Sequence, residues 1–189
     1  MKFDEKLVNS FFSSVSPRTA GFNSLENNSL TDESKLLTML FMIIGGAPGS
    51  TAGGIKITTV AILILSAVFF IRGREDIQIM KNSISYNTIF KSVCILMLAL
   101  LIIFISTFII LIDNDIEFIN ALFEVTSAFG TVGLSTGVTP LLNPLSKVVL
   151  MICMFLGRLG PLTLVIAFAR KQIFNKPCYK YSEGKISVG

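Results

Sequence analysis

The run Ala128-Phe-Gly-Thr-Val-Gly-Leu-Ser-Thr136 decides how this chain is read. It is short, polar and glycine-bearing, and it stands between two apolar segments, Ser92–Ile112 and Leu145–Ala169, each long enough to cross a membrane. In hydrocarbon an unsatisfied backbone group is costly. Irregular backbone at that depth persists only where protein buries it or where it lines a water-filled path. The surroundings therefore impose a loop that enters the bilayer and returns.

A second copy strengthens that reading. Sliding the sequence against itself by 112 residues, with no gap, places Thr19 on Thr131 and Gly21 on Gly133. The same offset pairs Phe11 with Phe123, Ser34 with Ser146, Lys35 with Lys147, Met42 with Met154, Gly45 with Gly157 and Thr51 with Thr163. The matches fall on the loop and on both flanks. The period is far longer than the roughly 20–50 residues of solenoid repeats, so it describes a duplicated membrane unit of helix, re-entrant loop and helix. Thr131-Val132-Gly133 is also a partial echo of the loop whose carbonyl oxygens replace an ion's hydration shell in potassium channels.

Composition agrees. Apolar residues make up 52% of the chain and charged residues only 15%, and the mean hydropathy is +0.73. Soluble domains carry about 25% charged residues. The net charge of +4 would hint at nucleic acid in a soluble protein. Here the positive residues flank hydrophobic spans, which is an orientation signal, and no nucleic-acid partner is expected. Histidine is absent, which removes the commonest general base and metal ligand. Cys94, Cys153 and Cys178 show no metal spacing and no evident pairing. No cleavable signal peptide is visible.

Taken in order, residues 1–71 form a partial repeat, with a pore helix over 7–15, a loop over 18–23 and a long apolar segment over 36–71. That segment is interrupted by Gly45-Gly-Ala-Pro-Gly-Ser-Thr-Ala-Gly-Gly-Ile-Lys56, whose five glycines and one proline cannot sustain a straight helix. Neither half reaches the roughly 20 residues that a crossing needs. Two half-helices joined by an intramembrane loop over 45–56 are expected. A water-exposed loop between short spans is the plainer alternative. Residues 72–91 read as a cytoplasmic connector. A complete repeat follows over 92–171, with a helix at 92–112, a pore helix at 117–129, a loop at 130–135 and a helix at 145–169; residues 172–189 read as a cytoplasmic tail. The basic clusters at 72–91 and 170–185 place both ends of this unit inside the cell, so both loops open outward near the acidic segments. The fold class expected is an all-α membrane protein of helix–re-entrant loop–helix repeats with one broken transmembrane helix.

Arg18-Thr-Ala-Gly-Phe-Asn23, Gly130-Thr-Val-Gly-Leu-Ser135, the glycine-rich run Gly45–Lys56 and Gly157-Arg-Leu-Gly-Pro161 together resemble, in order and over nearly the whole chain, the Trk/Ktr family of potassium-uptake membrane subunits. The resemblance implies four repeats around one ion path, of which these residues match the third and fourth. The two amino-terminal repeats, and an outer helix ahead of Leu7, are then expected from elsewhere, and the chain alone is not expected to conduct. The resemblance also implies that backbone carbonyls around Thr19, Ala20, Gly21 and Phe22, and around Thr131, Val132, Gly133 and Leu134, form a potassium filter. Each loop has one filter glycine, so fewer coordination sites and looser selectivity are inferred. Packed re-entrant turns without a filter role are the alternative. By the same resemblance, Gly45, Gly46, Gly49, Ser50, Thr51, Gly53, Gly54 and Lys56 form a mobile gating loop below the filter, and Arg158 borders the path as a positive barrier. A static helix break is the alternative for the loop, and a structural anchor the alternative for Arg158. The implied partners are a second copy in a membrane homodimer and a cytosolic nucleotide-binding regulatory ring. No cofactor is expected in this chain, and the nucleotide belongs to the regulatory partner. The expected location is the cell membrane, multi-pass, with a cytoplasmic carboxyl terminus.

Three further readings come from the residues. Gly49-Ser-Thr-Ala-Gly-Gly-Ile-Lys56 brushes against the nucleotide-binding pattern G-x-x-x-x-G-K-[ST], but Ile55 separates glycine from lysine and no strand precedes it. A mid-membrane arginine costs about 2.5–3.5 kcal/mol on insertion scales, so Arg158 is expected to meet loop carbonyls or hydroxyls. Glu124 and Arg18 are expected to pair between adjacent loops, and Lys35 and Lys147 to snorkel at the external interface. Besides a potassium-transport subunit, which is not an enzyme, the sequence leaves open a non-conducting membrane remnant and a membrane ATPase fragment.

Overall fold

A computed structural model describes residues 3–73, 78–79 and 82–160. Its helices are α1 (Phe3–Val15), α2 (Asp32–Ile43), α3 (Ile57–Ile71), α4 (Tyr86–Asp113), α5 (Phe118–Gly130) and α6 (Pro144–Leu159). Two-residue strands β1 (Gln78–Ile79) and β2 (Asn82–Ser83) form a small antiparallel hairpin before α4. The remainder of the span expected over 145–169, together with Arg170 and the tail over 172–189, lies outside the described residues.

The long helix α4 is built for lipid. Over its most apolar window the mean hydropathy is 3.2, yet only 28% of that window is buried. Ser92, Ile95, Ala99, Ile103, Ser106 and Ile110 are buried, and their alternation of three and four residues draws one narrow stripe along the helix. Phe90, Met97, Leu101, Phe104 and Phe108 are exposed. A soluble core helix would hide such side chains, each worth about 1.5–3 kcal/mol on burial. At 1.5 Å per residue a helix of 28 residues runs roughly 42 Å, more than the ≈ 30 Å hydrocarbon core. Six of its residues occupy the connector expected over 72–91. Helix begins there because Ser85 takes extended backbone and its carbonyl receives the Thr88 amide at 2.9 Å, which starts the first turn before the hydrophobic run begins.

The centre of the structure is α5, which packs against α2, α4 and α6. Its 13 residues are too few to cross a bilayer, and nine of them are buried. The matching α1 buries none, and where Phe123 is wholly buried its counterpart Phe11 is 74% exposed. The two units therefore share sequence and local shape while lying in different surroundings. Between α2 and α3 the chain leaves helical geometry. Thr31 caps the start of α2 by accepting the Ser34 amide. Ile44 then pairs with Ile55 in an isolated bridge, which brings the two ends of the glycine-rich run together.

Polar side chains staple α4 to α6 where the intervening segment returns. The Ser146 hydroxyl donates to Asp113 Oδ2 at 2.6 Å and accepts from Asn114 Nδ2 at 2.7 Å. Asn143 Nδ2 donates to the Asp113 carbonyl at 2.6 Å, and its amide donates to Asn114 Oδ1 at 2.9 Å. Ser146 is fully buried, and its removal takes one hydrogen bond from Asp113 and one from Asn114, each worth about 0.5–1.5 kcal/mol. Ser146→Val should lower the melting temperature of the detergent-purified protein. Lys147→Ala, whose side chain is exposed and among the described residues reaches only the Pro140 carbonyl, should leave it nearly unchanged.

Candidate functional site

The two loops take left-handed backbone at the same offset positions. Thr19 has φ +67° and Gly21 +75°; at the offset positions Thr131 has +53° and Gly133 +91°. For a β-branched threonine, left-handed geometry is a genuine outlier, at roughly 1–3 kcal/mol. Its occurrence at the same place in both copies is the structural form of the sequence repeat. φ is positive at every second residue from Thr19 to Phe22 and from Thr131 to Leu134.

These turns meet. A Cβ built on Gly21 would lie 2.3 Å from the Val132 carbonyl oxygen, and one built on Gly133 would lie 3.9 Å from Gly21 Cα. Only a residue without a side chain admits that approach at Gly21. Asn27 adds a second tie, donating from Nδ2 to the Ser135 carbonyl at 3.0 Å.

The second loop is fastened at both ends. At its base, the Thr131 and Val132 amides donate to the Ala128 and Ser127 carbonyls at 3.0 and 2.9 Å, closing the α5 terminus. Val132 and Leu134 turn their side chains into an apolar cluster with Met39, Met42 and Phe123. At its outer end Glu124, only 5% exposed, receives four hydrogen bonds. A cleft of about 630 Å³ runs along this loop, with Ser127, Thr131, Gly133, Ser135 and Met154 among its walls.

The glycine-rich run folds under the second turn. The Gly53 amide donates to Thr131 Oγ1 at 3.1 Å, and a Cβ on Gly53 would come within 2.5 Å of that oxygen. The run is closed on itself by Gly45 N to the Ile55 carbonyl at 2.8 Å and by Ile55 N to the Ile43 carbonyl at 3.0 Å. Lys56 folds back to donate to the Ala52 carbonyl at 2.6 Å and the Ser50 carbonyl at 3.3 Å. From α6, Arg158 donates to the Thr51 carbonyl, and the Gly157 carbonyl accepts the Gly54 amide at 3.3 Å. Thr131, Gly53, Thr51 and Arg158 thus form a connected stack from turn to loop to helix. Gly46 lies against Ser50 and Ala52 within the same loop, and Gly49 stands free with φ +83°.

Two expectations fail. Glu124 does not pair with Arg18; its carboxylate is taken by Ser135, Thr136 and Thr139, while the Arg18 guanidinium lies 5.7 Å from the centre of the Phe41 ring. Hydroxyls and an amide lay closer along the chain, and a buried carboxylate satisfied by neutral donors needs no cation. Lys35 does not snorkel either. It is buried, and its ammonium donates to Asn120 Oδ1 at 3.3 Å, because α5 packs over that face of α2. Asn27, Thr136 and Thr139 escaped the sequence reading. Nothing separates them from other loop polar residues except that Thr136 and Thr139 follow a glutamate-bearing helix.

Comparison with known proteins follows the same lines. Residues 1–176 match the family described as "TrkH: Cation transport protein". The chain belongs to that family. It is a transport family and not a family of enzymes. The chain is similar to the Ktr system potassium uptake protein B of Bacillus subtilis, 40% identical over 98% of this chain and 41% of that protein. The potassium/sodium uptake protein NtpJ of Enterococcus hirae is 35% identical over 99% of this chain and 42% of that protein. The chain therefore spans about two fifths of the length of these relatives. The crystal structure of the potassium transporter TrkH from Vibrio parahaemolyticus superposes with a TM-score of 0.72 at 20% identity, over 87% of this chain and 37% of that one, which fixes the shared fold. Membership of the TrkH family makes this a helical membrane protein.

The glycines make a test of the packing. A Cβ on Gly157 would stand 1.9 Å from the Phe129 carbonyl oxygen, so α5 and α6 could not keep their separation. A Cβ on Gly49 meets nothing within 4 Å and carries only left-handed strain, about 1–2 kcal/mol. Gly157→Ala should abolish recovery of folded protein from membranes, while Gly49→Ala should be recovered and melt slightly lower.

Proposed function

We propose that this chain carries two of the re-entrant loops of a potassium-uptake subunit, with backbone oxygens around Thr19–Phe22 and Thr131–Leu134 receiving the dehydrated ion. One observation carries the reading: the offset that aligns the sequence also brings two strained Thr-x-Gly turns face to face. Irregular backbone of this kind, among helices with lipid-type surfaces, is tolerated only where it is buried or borders water. The cleft along the second turn supplies an open side. The names of the relatives, potassium uptake proteins of Ktr systems among them, point to the same ion.

In this reading the Gly45–Lys56 run is the gate. It lies against Thr131, tied to its neighbours through Gly53 to Thr131, Gly54 to Gly157 and Arg158 to Thr51, and closed on itself through Gly45, Ile55 and Lys56. Arg158 places a positive charge at the same level, which would slow a cation. The remaining repeats of the path come from residues beyond this chain, and the bare apolar face of α1, with Phe3, Val8 and Phe11 exposed, is where they would pack. A membrane homodimer, a cytosolic nucleotide-binding regulatory ring on the basic side, a carboxyl terminus inside the cell and residence in the cell membrane belong to the same proposal.

The test is rubidium uptake by the complete subunit, upstream repeats included, in cells lacking their own potassium uptake. Gly133→Ser, at φ +91°, should weaken potassium affinity and admit sodium; unchanged uptake and ion preference would remove Gly133 from the filter. Arg158→Gln should raise the maximal uptake rate per molecule. Loss of folded protein in that variant would instead make Arg158 a structural anchor.

A further inference from the structure

We propose that Glu124 is a positioning residue for ion selection: its carboxylate fixes the outer end of the Thr131–Leu134 turn and so the spacing of that turn's oxygens. The inference rests on the filter reading above and adds a residue that touches no ion. Glu124 projects from the middle of α5 and is 5% exposed. Its Oε1 accepts from the Ser135 hydroxyl at 2.7 Å, the Thr136 amide at 2.9 Å and the Thr136 hydroxyl at 3.1 Å. Its Oε2 accepts from the Thr139 hydroxyl at 2.6 Å.

Every donor comes from the segment that immediately follows the turn. Backbone bonds hold the base of the loop at Thr131 and Val132, and the next backbone amide tied down beyond them, at Thr136, is tied by this carboxylate. The turn is thus strung between the α5 terminus and Glu124, two points on one helix, with Asn27 holding the Ser135 carbonyl beside the outer point. A displacement of the outer point would let the turn widen from its strained end at Thr131.

Both carboxylate oxygens are used as acceptors, three donors converging on Oε1 and a fourth on Oε2. Glutamine at this position puts an NH₂ where Oε2 accepts from Thr139. Bonds to a charged acceptor are moreover the stronger ones. The first unit has no equivalent. The residue at the offset of 112 is Phe12, and there the Ser16 hydroxyl donates to the Phe22 carbonyl instead. The two turns are held by unlike devices, and only the second depends on a buried carboxylate.

The experiment measures rubidium uptake and its inhibition by sodium for the complete subunit in uptake-deficient cells, per molecule of subunit in the membrane. Glu124→Gln should raise the rubidium KM by roughly tenfold, the factor equivalent to about 1.4 kcal/mol. It should also strengthen sodium competition, with a smaller change in maximal rate. A merely structural carboxylate would lower the amount of subunit and leave KM and ion preference alone, and that result overturns the proposal. If Glu124→Gln fails to reach the membrane, the double variant Ser135→Ala, Thr139→Val keeps the Thr136 amide bond and decides the matter. A smaller shift of the same sign supports the inference, and an unchanged KM and sodium competition overturn it. A wild-type subunit that takes up no rubidium removes the transport reading itself, and this inference with it.

Discussion

Backbone polar groups surrounded by hydrocarbon must find partners, and the design of this chain follows from that one requirement. A helix satisfies itself. The two turns and the glycine-rich run do not, and each is completed by side chains and carbonyls from neighbouring elements. Glu124 takes the amide of Thr136, Thr131 takes that of Gly53, and the carbonyl of Gly157 takes that of Gly54. Each irregular segment is thereby fastened to a helix that packs on apolar contacts. The glycines are consistent with this role. At Gly21, Gly53 and Gly157 a methyl group would fall on an oxygen that belongs to another segment.

The two halves of the repeat show how far local sequence determines environment. Phe11 and Phe123 are the same residue at the same place in matching helices, yet one is exposed and the other lies at the centre of the packing. The difference comes from neighbours. α5 is enclosed by α2, α4 and α6, whereas none of the residues of α1 is buried. The pair Gly45 and Gly157 diverges likewise: one stands against the Gly53 carbonyl of its own loop, the other against Phe129 in a different helix. Duplication preserved the backbone turns more faithfully than the contacts around them.

Fold class was legible because lipid imposes simple rules: long apolar runs give helices, and glycine with proline gives interruptions. The family was legible because four motifs occur in order. Of the candidate site, the turns and the loop could be found as segments, since Thr-x-Gly recurs at a fixed offset and Gly45–Lys56 cannot be helical. Their mutual placement could not be read. Sequence does not show that Gly53 sits on Thr131, or that Arg158 reaches Thr51. Side-chain partners were the least legible of all. Glu124 and Arg18 have complementary charge, and charge alone suggested a pair. Neutral donors eleven to fifteen residues further along the chain satisfied the carboxylate first. Lys35 was misplaced for a related reason: its burial depends on α5, whose packing over α2 lies 85 residues away at Asn120.

The hydroxyl of Thr131 belongs to two structures at once. It is part of the strained turn, and it is the acceptor on which the amide of Gly53 rests. By thermodynamic reciprocity, whatever steadies one member of such a pair steadies the other by an equal free energy. In the proposed reading, an ion seated at the turn and the loop seated against it would sense each other through that contact.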